Sequence, residues 1–279
     1  MPAYNAAATL SRTLAEVDRE IVDDVVLVDD ASSDATLALA RDLGLDATQH
    51  DHNRGYGANQ KTCYRRALEL GADILVMVHP DYQYSPRLVP AMASMIAYGE
   101  YDMVLGSRIL AQHTVAQGMP RYKYVANRAL TFAQNVLMRQ KLSEYHTGLR
   151  AFSSALMARL PFDRNSDDFV FDNQVIAQAI VAGARIGEIS CPTRYGPDAS
   201  SINLARSIRY GIGVLRTCAD YQLHSRRLRR SGYLDIGGAG APAPGTGQSG
   251  TGQSGTGQSG AAPAEPGRVG AGRARTGPG

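Results

Sequence analysis

The chain has no tryptophan, five phenylalanines and three cysteines among 279 residues. Cys63, Cys191 and Cys218 are odd in number and far apart, with no Cys-x-x-Cys pair and no histidine cluster beside them. That pattern argues against a disulfide framework or a structural zinc site and points to a reducing compartment. No apolar run approaches the roughly 18 residues of a spanning helix. Met1 leads straight into Pro2-Ala3-Tyr4-Asn5, without the basic start and apolar run of a signal peptide. The expected location is cytoplasmic, with peripheral contact at the inner face of the plasma membrane a further expectation developed below.

Aromatic residues are missing altogether from positions 236–279, which hold 15 of the 29 glycines and five of the 13 prolines. Three tandem copies of Thr-Gly-Gln-Ser-Gly run from Thr246 to Gly260. Such a stretch cannot bury enough apolar surface to offset the entropy of ordering, so a flexible, solvated tail is expected. The glycine spacing excludes collagen, and 44% hydrophobic residues exclude global disorder. The expected organisation is one folded domain over 1–225, a basic segment over 226–235 and the tail over 236–279.

The net charge of +3 conceals an asymmetry. Residues 1–200 carry 19 basic and 23 acidic side chains, whereas 201–230 carry seven arginines against Asp220 alone. A helix is predicted over Ile202 to Leu223, with Arg206, Arg209 and Arg216 on it and Arg226, Arg227, Arg229 and Arg230 after it. A basic amphipathic stretch of this kind either lies on an anionic membrane surface or packs on the domain as a solvated helix. Nucleic acid is not the expected partner, because few aromatics interleave the basic residues.

Short apolar runs at Val25 to Val28, Ile74 to Val78, Met103 to Leu105 and Ile186 to Ile189 predict buried strands. Helical patterns lie between them, at Ser11 to Ile21, Asp34 to Leu43, Asn59 to Leu70, Pro86 to Tyr98 and Phe171 to Ala182. Strand and helix alternate, which gives an α/β class with a mostly parallel central sheet flanked by helices. Ligands of such sheets sit beyond the carboxyl ends of the strands. Polar clusters stand there in this sequence. Val28 runs into Asp29-Asp30-Ala31-Ser32-Ser33-Asp34, which is either a turn with a helix cap or a pair of carboxylates facing a nucleotide. Val78 runs into His79-Pro80-Asp81-Tyr82-Gln83, whose carboxylate, imidazole and amide suit a divalent ion of the Mn²⁺ or Mg²⁺ kind. Asn53-Arg54-Gly55-Tyr56-Gly57 precedes a helix without the third glycine of a dinucleotide loop. It serves either as an ordinary loop or as a backbone that a sugar or phosphate can approach.

Taken in order, Pro2-Ala3-Tyr4-Asn5, Val28 to Asp34, Asn53 to Gly57, His79 to Gln83, Gly106-Ser107-Arg108 and Thr147-Gly148-Leu149-Arg150-Ala151-Phe152 resemble glycosyltransferase family 2. The likeness is greatest to the dolichyl- or polyprenyl-phosphate mannosyltransferase branch and its soluble bacterial relatives, and it covers about residues 1 to 223. It implies a GT-A fold and an inverting transfer of sugar from a UDP- or GDP-sugar donor to a lipid-linked or other glycan acceptor of the cell envelope. The resemblance places Pro2, Tyr4, Asn5, Asp29, Asp30, Asn53, Gly55, Gly57 and His79 around the nucleotide-sugar, and Asp81 with Gln83 on a Mn²⁺ or Mg²⁺ ion. Arg108 would face phosphate. Ser166-Asp167-Asp168-Phe169-Val170-Phe171-Asp172 resembles the acidic motif at the acceptor side, with Asp168 as general base and Asp167 or Asp172 orienting it. Aromatic neighbours would raise the pKa of a carboxylate there; the same residues also suit a simple helix cap. His146 would shape the acceptor pocket or be a structural histidine.

Three departures stand out. The family's Asp-x-Asp reads His79-Pro80-Asp81. The basic residue and serine expected for a lipid phosphate are best matched by Lys123 and Asn127. The apolar first strand that precedes Pro-x-Tyr-Asn in the family is missing, so neighbouring strands should lack a partner. Two other functions stay open: a sugar-phosphate nucleotidyltransferase, which would carry a basic glycine-rich loop after the first strand, and a family member that binds a sugar nucleotide without turnover.

Overall fold

The computed structural model describes residues 1–111, 119–194 and 204–236. These belong to one compact unit. The expected tail from residue 237 onward and the first two residues of the expected C-terminal helix lie outside the described residues.

In chain order the elements are β1 (Pro2–Ala3), α1 (Ala7–Ala15), β2 (Val26–Asp29), α2 (Thr36–Asp42), β3 (Asp46–Gln49), α3 (Tyr56–Glu69), β4 (Ile74–Met77), α4 (Val89–Ala97) and β5 (Met103–Ser107). The second half adds α5 (Arg121–Met138), β6 (Arg150–Ser153), the single turn α6 (Ser154–Met157), α7 (Phe171–Val181), β7 (Ile186–Ser190) and α8 (Leu204–Ser225). All four predicted strands and all six predicted helices are present. The first predicted helix is shifted: it ends at Ala15 rather than Ile21 and starts four residues earlier than expected, at Ala7, because Asp34 Oδ2 accepts from the Ala7 N–H at 3.1 Å and Thr36 Oγ1 accepts from the Ala6 N–H at 2.8 Å. These caps come from a distant turn, so no local signal marks that start.

The strands form two sheets, β1-β2-β3, all parallel, and β4-β6-β5-β7, in which β6 alone runs against its neighbours. Alternate residues of the second sheet serve opposite cores, as the two-residue period requires. Leu75, Met77, Met103, Leu105 and Phe152 pack with Tyr64 of α3 and with Val175 and Ile176 of α7. Val78, Val104 and Ala151 pack on the other face with Met92 and Ile96 of α4. A third core joins Leu27 of β2 to Leu10 of α1 and Ala40 of α2.

β1 is two residues long and pairs with β2 alone. Its amino terminus donates to Val26 O at 2.7 Å, and beyond it β2 and β4 flank an open slot of about 620 Å³ lined by Met1, Val26, Cys63, Leu75 and Met77. Among the described residues nothing pairs with the outer edge of β4, which borders this slot. Despite the gap, both sheets deliver their strand ends to one edge of the molecule. Asn59 Nδ2 of α3 donates to Ala3 O at 3.2 Å, and Thr13 Oγ1 of α1 donates to Pro80 O at 3.3 Å.

Candidate active site

Tyr4 and Asn5 follow β1, Asp29 and Asp30 end β2, His79 and Asp81 follow β4, and Ser107 and Arg108 end β5. Tyr4 is 55% exposed and presents a ring to solvent. Asn5, at φ 51°, accepts from the Ser33 N–H at 2.9 Å through its side chain, and its own N–H donates to Ser32 Oγ at 2.8 Å. This ties the β1 end to the turn after β2. Asp29 and Asp30 are both buried. Asp29 accepts from Gln49 Nε2 at 2.7 Å and from the Ser32 N–H at 3.2 Å. Asp30 accepts from the Arg54 and Gly55 N–H groups at 2.9 and 3.0 Å and pairs with His50 Nδ1 at 2.7 Å. Its carboxylate holds the glycine loop in place from beneath.

Gly55 sits at φ 101°, and a Cβ there would lie 2.7 Å from Asp167 O. A Cβ on Gly57 would lie 2.4 Å from Ser166 O, and the Gly57 N–H donates to Asp167 O at 2.7 Å. The room left by these glycines, expected to admit a sugar or phosphate, is taken by the acidic motif. Asn53 is exposed at the rim. Asp167 Oδ1 also receives the buried ammonium of Lys61 at 2.7 Å.

Asp172, expected to orient Asp168, is engaged elsewhere. It is buried and forms an ion pair with Arg150, which is 1% exposed, while accepting from Tyr56 OH at 2.8 Å and Gln60 Nε2 at 2.9 Å. Burial works against the charge of Arg150, yet the Asp172 carboxylate outweighs it and raises the guanidinium pKa above its ordinary value. Asp168 stands exposed rather than enclosed by aromatic neighbours; its Oδ1 accepts from the Phe169 N–H at 2.8 Å. Tyr56 links this motif to His79, with its hydroxyl 3.2 Å from His79 Nε2 and the rings stacked at 5.5 Å. Burial lowers the His79 pKa, opposed by the Asp81 and Asp172 carboxylates, and the net lowering leaves a neutral imidazole at pH 7. Asp81 is half-buried, with Oδ1 accepting from the Gln83 N–H at 3.0 Å, so Gln83 steadies this carboxylate through its backbone.

The fork of Arg108 is also occupied. Its backbone N–H and Nε donate to the fully buried Glu144 at 2.7 and 2.8 Å, and Nη2 donates to His146 O at 2.6 Å. Burial pushes the Glu144 carboxyl up, but the Arg108 charge and hydrogen bonds prevail and hold it below the usual carboxylate value. Asn127, expected at a lipid phosphate, donates to Glu144 at 2.7 Å and is buried, while Lys123 lies half-buried one turn before it on α5. His146 Nδ1 lies 2.7 Å from Tyr210 OH, which accepts from Asn173 Nδ2 at 2.5 Å. With Tyr210 donating to Nδ1, the imidazole proton sits on Nε2, a buried donor without a partner among the described residues.

Burial lowers the His146 pKa to about 4. Because the unfolded chain takes up this proton first, at about 6.5, stability is present above that pH and falls as the pH drops toward 4. Urea unfolding at pH 7.5 and 5 should show the wild type losing up to about 2 kcal/mol more than His146→Gln. Equal losses would show that His146 does not titrate in this window.

Glu144, Arg150, Tyr56, Gln60 and Tyr210 were given no role on sequence grounds. Arg150 carried a readable signal: a charged residue opening the strand Arg150-Ala151-Phe152 must be paired if that strand is buried.

The family model described as Glycosyl transferase family 2 matches residues 1–160. The chain belongs to this family. This glycosyltransferase is 28% identical to an uncharacterized protein of Methanocaldococcus jannaschii, over 70% of this chain and 80% of that one. It is 26% identical to the UDP-N-acetylglucosamine–dolichyl-phosphate N-acetylglucosaminyltransferase of Methanococcus voltae, over 76% and 90% of the two chains. It is also 26% identical to a dolichyl-phosphate hexose transferase of Haloferax volcanii, over 80% and 94%. All three relatives are archaeal. In fold it is similar to glucosyl-3-phosphoglycerate synthase of Mycobacterium tuberculosis with phosphoglyceric acid, at TM-score 0.61 and 18% identity, over 79% of this chain and 77% of that one. The same enzyme with Mn²⁺, uridine diphosphate and glucosyl-3-phosphoglycerate gives a TM-score of 0.56 at 18% identity, over 83% and 79%. The GT-A architecture expected from the sequence is therefore the observed one.

Among the described residues no three His, Cys, Asp or Glu side chains converge on a metal position. Asp29 and Asp30 are spent on protein donors, which leaves the half-buried Asp81 after β4, and a neutral imidazole beside it is turned toward Tyr56. This donor set fits a hard cation that keeps waters and shares its shell with a ligand's phosphates, and does not fit an all-protein cage.

Proposed function

We propose that this glycosyltransferase moves a sugar, with inversion, from a UDP-sugar to a polyprenyl- or dolichyl-phosphate acceptor. The observation that carries the reading is the gathering of Tyr4, Asp29, Asp81 and the His79–Tyr56–Asp172 chain at one strand edge, with His146 Nε2 left as a buried donor on the side of Arg108 and α8. The names of the relatives from M. voltae and H. volcanii support the lipid-phosphate acceptor, and the former also supports UDP over GDP.

Tyr4 offers a ring face for the base, and Asp29 shapes the turn beneath the ribose. Asp81 would hold Mn²⁺ or Mg²⁺ on the diphosphate, where the ion supplies neutralisation of the charge that develops on the leaving nucleoside diphosphate. His146 Nε2–H would donate to an acceptor oxygen, and Lys123 would add charge at the same side. A lipid phosphate is already ionised, so no strong base is required; Asp168 serves as base only where the acceptor is a hydroxyl.

The test is transfer from radiolabelled UDP- and GDP-sugars, with Mn²⁺ or Mg²⁺, to polyprenyl phosphate, compared between wild type and Asp168→Asn. The expected result is a labelled lipid from a UDP-sugar, with Asp168→Asn within a few-fold of wild type. Transfer to a hydroxyl acceptor alone, abolished by Asp168→Asn, would overturn the acceptor assignment.

A further inference from the structure

Helix α5 is built inside out for a water-soluble protein. Its inward face carries Asn127, Thr131, Gln134 and Met138, all buried, and the first three are spent on polar partners: Asn127 on Glu144 at 2.7 Å, Thr131 on Asn127 at 3.2 Å, Gln134 on Asn173 at 2.8 Å. Its outward face carries Tyr122, Val125, Phe132 and Val136, which are 63, 64, 71 and 59% exposed. With the exposed Ala129 between them, they recur at three- and four-residue intervals and so form one continuous stripe. An ordinary surface helix has the opposite polarity.

The neighbouring helix also exposes an apolar stripe, although its buried face holds Val214 and Cys218 beside Thr217. α8 packs beside α5, with Gly211 facing Leu130 and Gln222 donating to Leu137 O. Its outward stripe is Ile208, Ile212 and Leu215, which are 57, 64 and 45% exposed. On both helices the exposed stripe lies opposite the buried residues, so the two stripes share one outer face.

The charge around this face has one sign. Exposed Arg121 and Arg128 accompany the α5 stripe, exposed Arg209 and Arg216 the α8 stripe, and Arg226 and Arg227 follow α8. α5 has no acidic residue, and the single acid of α8, Asp220, accepts from Tyr233 at 3.3 Å. A second copy of the chain laid on this face would bring arginine rims against each other. An anionic lipid surface supplies the complementary charge, and arginines with apolar stems sit well at that boundary.

We propose that the paired outer face of α5 and α8 docks on an anionic phospholipid bilayer. This deepens the lipid-acceptor reading of the site. Tyr210, on the same helix as Ile208 and Ile212, reaches inward to His146 at 2.7 Å. A bilayer seated on the outer face therefore lies about one helix diameter, 10–12 Å, from the buried donor of the acceptor side. The surface delivers the site to the plane where a lipid phosphate resides.

The experiment is flotation of the full chain with vesicles of phosphatidylcholine, with and without phosphatidylglycerol, without any sugar donor. Wild type is expected to float only with phosphatidylglycerol. Phe132→Glu/Ile212→Glu, both at exposed positions, should lose at least tenfold in binding, with an unchanged far-UV circular dichroism spectrum and melting temperature. Arg209→Gln/Arg216→Gln should lose about fivefold per arginine at low salt. Transfer to a short-chain, water-soluble prenyl phosphate should be the same for wild type and the two glutamate substitutions. That arm separates the two readings: turnover without flotation overturns the docking face and leaves the function standing, and flotation without turnover does the reverse. Equal flotation of wild type and Phe132→Glu/Ile212→Glu overturns the proposal. So does a dimer in sedimentation velocity that the same substitutions dissolve.

Discussion

Asp172→Ala should lower the unfolding free energy by about 3–5 kcal/mol, as expected when one partner of a buried ion pair is removed. Arg150 is 1% exposed and Asp172 is buried, so no water replaces the lost carboxylate. The guanidinium would keep Thr147 O as an acceptor, but its Nε already lacks a partner; Gln60 Nε2 would lose its acceptor as well, and Tyr56 OH would be left with His79 Nε2 alone. The loss is therefore that of an uncompensated buried charge plus one stranded donor. Urea unfolding followed by circular dichroism reads it, and Asp172→Asn serves if the alanine variant does not fold. The double replacement Arg150→Met/Asp172→Leu should recover most of the loss, because an apolar pair of similar volume needs no desolvation. A loss below about 1 kcal/mol for both single variants would show that the pair is solvated in the native protein.

The Asp172 result would also explain what was and was not legible in the sequence. Strands with apolar runs, such as Ile74 to Val78, were readable because both faces of that sheet are covered. β3 and β6 were not: Asp46-Ala47-Thr48-Gln49 is half exposed, and β6 opens on Arg150. α5 escaped for a related reason. Its inward residues are polar except Met138, and Tyr122, Val125, Phe132 and Val136 face outward, so its periodicity describes nearly the reverse of the helix that is there. The strand-end carboxylates were placed correctly along the chain, yet sequence order does not say which way a carboxylate points. Asp30 and Asp172 turn inward and brace the glycine loop and the acidic motif; Asp168 stays outside. Only the packing of Gly55 and Gly57 against residues 166–167 settles that division.

The same division bears on how the site is held. Asp30 fixes Gly55, Gly57 carries the backbone of Asp167, and Asp172 carries Tyr56, which meets His79. The loop ahead of α3 is thus clamped between the two halves of the fold, and the strand edge that would hold a nucleotide is braced by groups that need never touch it. This arrangement suits preorganised electrostatics, in which orientation is set during folding rather than during turnover.

Against that braced background, Asp81→Ala should be nearly silent in stability and severe in transfer. Asp81 is half-buried, so its removal leaves a wet position. Its loss would also relieve His79 of a carboxylate that raises its pKa, which keeps the imidazole neutral at pH 7. The structure around it therefore persists, and the melting temperature should stay near that of wild type. Transfer is another matter. In the function proposed above Asp81 shares a divalent ion with the donor diphosphate, and the charge it helps to balance grows as the leaving group departs. An interaction stronger in the transition state than in the bound donor appears in kcat. The expected loss is about 10²–10³-fold in kcat, the range seen when one preorganised electrostatic group is removed. Asp81→Asn should fall between, since it keeps one oxygen but loses the charge. Titration of Mn²⁺ at saturating UDP-sugar is the deciding measurement: wild type should saturate, and Asp81→Ala should need far more metal for a lower plateau. Unchanged metal dependence would detach Asp81 from the ion and leave the diphosphate to be balanced by other groups.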